Sequence, residues 1–280
     1  MSSVTTPSRL LIIGGAEDRE GPCVILREFV ALAGGADARL VVIPAASGSP
    51  EAVGGDYTRL FERLGVAAVS VLTLSDRSAA QREASVRQIK DATGVFFTGG
   101  DQLRIMNRLG GTGVDTVLHQ RVAEGLVVGG TSAGAAVMSA TMIIEGETRS
   151  PRAGAVRTGP GLEFLPGIII DQHFAQRGRI GRLLSVVAQF PHQLGIGIDE
   201  DTALVVEGSL ARVIGSGSIT IVDAGATTFN DGGEVGPGEA ISLCGVTLHS
   251  LPSGRSFDLR GRQPIFDTPP LSASQSPCVS

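Results

Sequence analysis

Cysteine is scarce in this chain. The 280 residues hold three, Cys23, Cys244 and Cys278, and an odd, scattered set fits a reducing compartment better than a disulfide framework. Positive charge is not in excess either. There are 23 Lys and Arg against 28 Asp and Glu, a formal net charge of −5, which leaves no electrostatic footprint for nucleic acid or a membrane surface. No apolar run approaches the roughly 18 residues of a membrane span. The opening MSSVTTPSRLLIIGG lacks the basic segment, long apolar segment and cleavage site of a signal peptide. Metal-ligand spacings such as H-E-x-x-H and C-x-x-C are missing, so no metal is expected. Internal repeats and linker-like stretches are missing as well. The expectation is a cytoplasmic protein whose residues 1–267 form a single domain, with 268–280, rich in Pro and Ser, as a flexible tail.

What is present is an alternation. Apolar runs at 9–13, 40–43, 67–72, 95–97 and 126–128 read as strands, and helical patterns at 22–32, 51–64, 78–91, from 103 and from 114 lie between them. Ser78 is a plausible N-cap for the third helix. Near-continuous apolar strands separated by helices imply a parallel sheet covered on both faces. Gly-Gly pairs at Gly14, Gly99 and Gly129 punctuate three strands. Ligands of open α/β sheets bind beyond the carboxyl ends of strands, so one shared cleft is expected there. After a further strand at 168–170 and a helix at 178–190, short alternating runs from Gly195 onward predict antiparallel strands that extend the sheet.

The stretch LVVGGTSAGAAVMSA at 126–140 carries the chemistry. Gly130-Thr131-Ser132-Ala133-Gly134 is a G-x-S-x-G pattern between a buried strand and a small-residue helix start, the pattern of a nucleophile elbow. The glycines two before and two after Ser132 let strand and helix approach. The helix start would aim free N–H groups at an oxyanion. A serine needs a base, and the base needs an orienting group. Of four histidines, His119 reads as a surface residue, His192 as part of a turn, and His249 as lying in a late strand far from any acid. His173 directly follows the strand at 168–172 and is the candidate base. Asp199, Glu200 and Asp201 end the next apolar run, and alternation does not choose among them. The order serine, histidine, acid argues against the α/β-hydrolase fold, in which the acid precedes the histidine. Gly14-Gly15-Ala16-Glu17-Asp18 lacks G-x-G-x-x-G and a Walker lysine, and its acids would repel phosphate, which argues against nucleotide binding.

The runs LLIIGGAED (10–18), FFTGGDQ (96–102), GGTSAGA (129–135), IIIDQHFAQRGRIGRLL (168–184) and GIGIDEDTALVVE (195–207) resemble the cyanophycinase family. These are bacterial serine peptidases related to peptidase E and, more distantly, to class I glutamine amidotransferases. The resemblance runs from about Leu10 to about Arg262. It implies an α/β fold of three layers, a mostly parallel sheet flanked by helices (class I glutamine amidotransferase-like or flavodoxin-like) with antiparallel strands added in the C-terminal third. It also implies cleavage of the aspartyl backbone of cyanophycin, multi-L-arginyl-poly-L-aspartate, to β-Asp-Arg dipeptides, without a cofactor, by a homodimer. Carried over by position, Ser132 is the nucleophile, His173 the base and Glu200 the orienting acid. Gly100 and Ala133 supply oxyanion N–H groups, and Gln102, Asp171, Gln172, Arg177, Arg179 and Arg182 line the substrate pocket. Arginine forks would hold carboxylates at two points, while Asp171 and one of the other acids would hold substrate guanidinium. A basic cluster in the first turn of a helix opposes the macrodipole and so calls for another reason. The loop at 147–161 has no positional match. Two rival readings are a peptidase E-like dipeptidase for short α-aspartyl or isoaspartyl peptides, and a non-catalytic binding protein on the same fold.

Overall fold

The computed structural model describes residues 8–146 and 148–266. The tail expected at 268–280 lies outside the described residues, as do Cys278 and Glu147.

Five strands come first: β1 (Arg9–Ile13), β2 (Arg39–Ile43), β3 (Ala68–Val71), β4 (Gly94–Phe97) and β5 (Val127–Thr131). They lie in the order β1-β5-β4-β2-β3 and pair in parallel throughout. Five helices connect or follow them: α1 (Val24–Leu32), α2 (Pro50–Arg63), α3 (Glu83–Asp91), α4 (Gln102–Leu109) and α5 (Gly113–Ala123). Alternation along each strand sorts the layers. Leu11, Ile13, Leu40, Val42 and Phe96 face α1 and α2, meeting Ile25, Leu26, Phe29, Tyr57 and Phe61. Leu10, Ile12, Val41, Ile43 and Phe97 share the opposite cluster with Ile89, Ile105, Leu109 and Leu118 of α3, α4 and α5.

The helix expected at 78–91 is split. Residues Ala79–Gln81 form a 3₁₀ turn, and α3 begins only at Glu83. Ser78 makes no capping hydrogen bond. Asp76 takes that part instead, accepting from Ala79 N at 2.9 Å and from the Ser78 hydroxyl at 2.6 Å. Led by the Ser78 hydroxyl, these bonds hold its carboxyl down at about 2.

Beyond β5 comes one short helical turn, α6 (Ala133–Ala136), and then a hairpin of β6 (Thr141–Glu145) and β7 (Arg157–Pro160). The remaining elements are β8 (Ile168–Gln172), α7 (Ile180–Gln189), β9 (Leu194–Ile198), β10 (Thr202–Glu207), β11 (Leu210–Gly215), β12 (Ser218–Asp223), β13 (Phe229–Asn230), β14 (Leu243–Cys244), β15 (Thr247–Pro252), β16 (Ser256–Asp258) and β17 (Gln263–Ile265). The expected extension of the sheet is there. β10 pairs antiparallel with β1, and β11, β16 and β17 continue outward to give nine strands. The strands β8, β9, β12 and β15 do otherwise and form a second, four-stranded sheet. Its Ile168, Ile170, Ile196, Ile198, Ile219 and Ile221 share the core cluster with β1 and α4. Its other side packs Val222 against Leu183 and Val187 of α7. Apolar alternation is the same for a strand added to one sheet and for a strand of another, so periodicity does not distinguish them. No helix among the described residues is long and apolar enough to cross a membrane.

Phe96 anchors the face under α1 and α2, with ring centroids 5.0 Å from Tyr57, 5.3 Å from Phe29 and 5.4 Å from Phe61. Truncating a core phenylalanine costs about 3–5 kcal/mol. Phe96→Ala is therefore expected to lower the urea midpoint by that equivalent, and an unchanged midpoint would show that this cluster carries little stability.

Candidate active site

The site is assembled at the end of β1. Three successive carbonyls there accept from three distant segments: Ile13 O from Ser132 N at 3.0 Å, Gly14 O from His173 N at 2.8 Å, and Gly15 O from Asp201 N at 2.8 Å. Gly14 and Gly15 are required by close approach. A Cβ on Gly14 would lie 2.0 Å from Asp199 O, and one on Gly15, at φ +106, would lie 2.2 Å from the His173 ring.

Ser132 stands between β5 and α6 at φ 54, ψ −111, a strained conformation for a residue with a side chain. The small-residue requirement of the pattern has a physical counterpart on both sides. A Cβ at Gly130 would meet Gly134 O at 2.4 Å, and one at Gly134 would meet Phe97 O at 2.3 Å. Gly129 and Gly130 lie within β5 rather than closing it, and the turn comes two residues later than the Gly-Gly pair suggests. Backbone strain is concentrated at this rim: Ala16, Ser132, His173 and Asp201 all have positive φ without being glycine.

Ser132 Oγ is 2.9 Å from His173 Nε2, and His173 Nδ1 is 2.6 Å from Glu200 Oε1. With Nδ1–H donating to the carboxylate, Nε2 is left to accept the serine proton. Of the three acids left open from sequence, two are bound elsewhere. Asp199 accepts from Ala175 N at 3.1 Å and from Ser218 N and Oγ at 3.2 and 3.0 Å. Asp201 accepts from Asp18 N at 2.9 Å. Glu200 alone reaches the imidazole, and its own N–H donates to Gln176 Oε1 at 3.0 Å. The Gly99-Gly100 turn runs alongside: a Cβ on Gly99 would be 3.9 Å from Ser132 Oγ, and Gly100 has φ +139 with a Cβ position 2.2 Å from Ala46 O. Ala133, the first residue of α6, is fully buried.

The polar residues expected in the substrate pocket are brought together, but several are occupied with each other. Asp171 is fully buried. Arg182 grips it at two points, Nε–Oδ2 at 2.9 Å and Nη2–Oδ1, and Arg182 Nη1 donates to Gly146 O at 3.0 Å. Arg179 Nη1 donates to Gln172 O and Oε1 and lies 3.3 Å from Asp171 Oδ1. Gln102 donates to Ile143 O and Ile144 O at 3.0 and 2.8 Å. In this structure Asp171 thus binds the protein's own guanidinium groups. Helix α7 starts at Ile180, later than the expected 178, so Arg177 precedes it and Arg179 sits at its N-cap. Only Arg182 falls in the first turn, where Asp171 offsets its charge. A cavity of about 330 Å³ opens over this network, lined by Thr148, Arg149, Arg177, Gly178, Arg179 and Arg182. Four arginines line this opening, two of them already paired with Asp171, and such a lining suits an anionic group such as a carboxylate. Arg149 escaped sequence reading because its loop matches no pattern. Gln176 and the Gly15 contact escaped it because they are purely tertiary. Of the other histidines, His119 is half-exposed, His192 is exposed, and His249 packs edge-on against Phe257.

The profile of peptidase family S51 matches residues 10–214. The cyanophycinase of Nostoc sp. strain PCC 7120 is 42% identical over 260 residues, which cover 92% of this chain and 87% of that one. The cyanophycinase of Trichormus variabilis is also 42% identical over 260 residues, with the same two coverages. Among solved structures, a peptidase from an acI-B1 Actinobacterium superposes with a TM-score of 0.68 at 20% identity, covering 91% of this chain and 98% of its own. That likeness is one of fold.

Because the His173 ring rests directly on Gly15, Gly15→Ala is expected to displace it. A displacement of about 1 Å at a reacting group can cost about a hundredfold in rate, so hydrolysis should fall by that order while circular dichroism still reports a folded chain. Wild-type turnover in a folded Gly15→Ala variant would show that the ring does not depend on this contact.

Proposed function

Given that the chain belongs to peptidase family S51, we infer that it is a serine-type peptidase that degrades cyanophycin. The observation that carries the mechanism is the unbroken hydrogen-bond chain from Ser132 Oγ through His173 to Glu200. In the reading proposed here, Ser132 attacks the carbonyl of a backbone aspartate as His173 Nε2 takes its proton, and Glu200 stabilises the imidazolium. The tetrahedral oxyanion is held by the N–H groups of Ala133 and Gly100. Each such donor is worth about 3–4 kcal/mol in comparable sites. His173 then returns the proton to the leaving amine, and water hydrolyses the acyl-enzyme to release β-Asp-Arg.

Each substrate unit is an aspartate whose side-chain carboxyl is amide-linked to arginine, so it presents a free carboxylate and a guanidinium together. The opening ringed by Arg149, Arg177, Arg179 and Arg182 supports carboxylate recognition. With Asp171 and Gln172 engaged by Arg179 and Arg182, their proposed part in the pocket is to hold those arginines in place. Residues 1–267 are proposed as one folding unit, supported by the core cluster that runs through both sheets. Free Cys23 and Cys244 support a cytoplasmic setting, and the family resemblance supports a homodimer.

Incubation with insoluble cyanophycin should solubilise it and yield β-Asp-Arg, with free Asp-X and β-Asp-X dipeptides left intact. Cleavage of those dipeptides but not of the polymer would favour a peptidase E-like activity instead. Ser132→Ala should abolish hydrolysis, and an unchanged rate would sink the mechanism. Glu200→Gln should keep the fold and lower kcat by on the order of 10⁴, the loss seen when a triad acid is neutralised elsewhere.

A further inference from the structure

Glu17 is a buried carboxylate that acyl transfer itself does not use. Its side chain is 1% exposed. Oε2 accepts from Thr131 Oγ1 at 2.5 Å, Oε1 accepts from the Tyr57 hydroxyl, and Arg19 Nε lies 3.8 Å away. Burial, reinforced by the adjacent Glu17, pushes the Tyr57 phenol well above its ordinary value, so it stays a proton donor. Burying a carboxylate is costly unless its acceptor capacity is used. Here that capacity is spent on two hydroxyls, one of them on the residue immediately before the nucleophile.

The position of Thr131 gives this bond its consequence. Thr131 and Ile13 are the last pair in register between β1 and β5. Ser132 follows at φ 54, a conformation that persists only when its surroundings hold it. Two ties do so, both from the same stretch of chain: Ile13 O holds the Ser132 N–H, and Glu17 holds the Thr131 side chain. The residues between them, Gly14 and Gly15, hold His173 N and Asp201 N. Segment 13–17 therefore fixes nucleophile and base to a common frame.

We propose that Glu17 is a positioning residue for the hydrolytic reaction: by accepting a hydrogen bond from Thr131 it keeps the strained turn at Ser132 from relaxing and sets the distance from the serine to His173. This rests on Ser132 being the nucleophile, the reading given above. A merely structural Glu17 would affect unfolding and leave the reactivity of folded protein untouched. A positioning Glu17 lowers the reactivity of protein that is fully folded.

The test uses Glu17→Gln, Thr131→Val, their combination and Thr131→Ser, each assayed well below its measured Tm. In the first two, the second-order rate of Ser132 labelling by a fluorophosphonate and kcat for cyanophycin should both fall about 10- to 100-fold, with KM within about threefold. The double variant should be no slower than the worse single variant, because Thr131→Val already removes the bond that Glu17→Gln weakens. Thr131→Ser, which keeps the hydroxyl, should recover most of the rate lost in Thr131→Val. Wild-type labelling rates in folded Glu17→Gln and Thr131→Val would overturn the proposal, and so would a loss confined to KM. If Glu17→Gln does not fold, the Thr131 pair decides. A wild-type chain that the probe does not label at Ser132 would instead overturn the nucleophile assignment, and this proposal with it.

Discussion

The geometry of the site depends on three consecutive main-chain carbonyls at the end of β1. Ile13, Gly14 and Gly15 each hold one N–H, from Ser132, from His173 and from Asp201. The residues concerned come from three separate stretches of chain, and a single backbone end serves as their common template. The arrangement requires residues without side chains at 14 and 15, since a Cβ at either would occupy space already taken by Asp199 or by the His173 ring. Positive φ at Ala16, Ser132, His173 and Asp201 indicates strain, which the rest of the fold must offset.

The fold offsets it by joining two sheets. β5 brings Ser132 from the parallel sheet, whereas β8 and β9 bring His173 and the acids from the smaller one. The chain passes from β9 in one sheet to β10 in the other through Asp199, Glu200 and Asp201 alone. Three adjacent acids in so short a crossover divide their tasks by direction. Asp199 turns back toward β12 and the segment after His173, Asp201 turns to the 15–18 loop, and Glu200 faces the imidazole. The isoleucines shared between the sheets make this junction part of the core rather than a hinge.

A second preorganised element adjoins the first. Asp171 is placed at the end of β8, two residues before His173, and its two oxygens fix Arg182 and draw Arg179 close. Removing one partner of a buried ion pair costs about 3–5 kcal/mol, so Asp171 is a strong hold on Arg182 and Arg179 in this structure. Arg179 and Arg182 are thereby oriented beside the neighbouring cavity in the folded chain itself.

The amino-acid sequence by itself determined much of this. Continuous apolar runs and their spacing specify the parallel sheet, because strands buried on both faces need apolar residues at every position. The small residues around Ser132 and its place between strand and helix mark a tight turn, and the lack of rivals makes His173 the candidate base. Three things were legible only in the tertiary structure. Alternation is blind to sheet membership, so the second sheet was hidden. A turn breaks the register that would orient its side chains, so Glu200 could not be separated from Asp199 and Asp201 without the family resemblance. A carboxylate's partner depends on what the fold brings within reach, so Asp171 was read as a contact for substrate guanidinium when it holds Arg182, and Glu17 was read only as an obstacle to phosphate when it holds Thr131. Periodicity and local sterics are properties of neighbouring residues and are written along the chain. Hydrogen-bond partnership across 114 positions, as between Glu17 and Thr131, exists only once the chain has closed on itself.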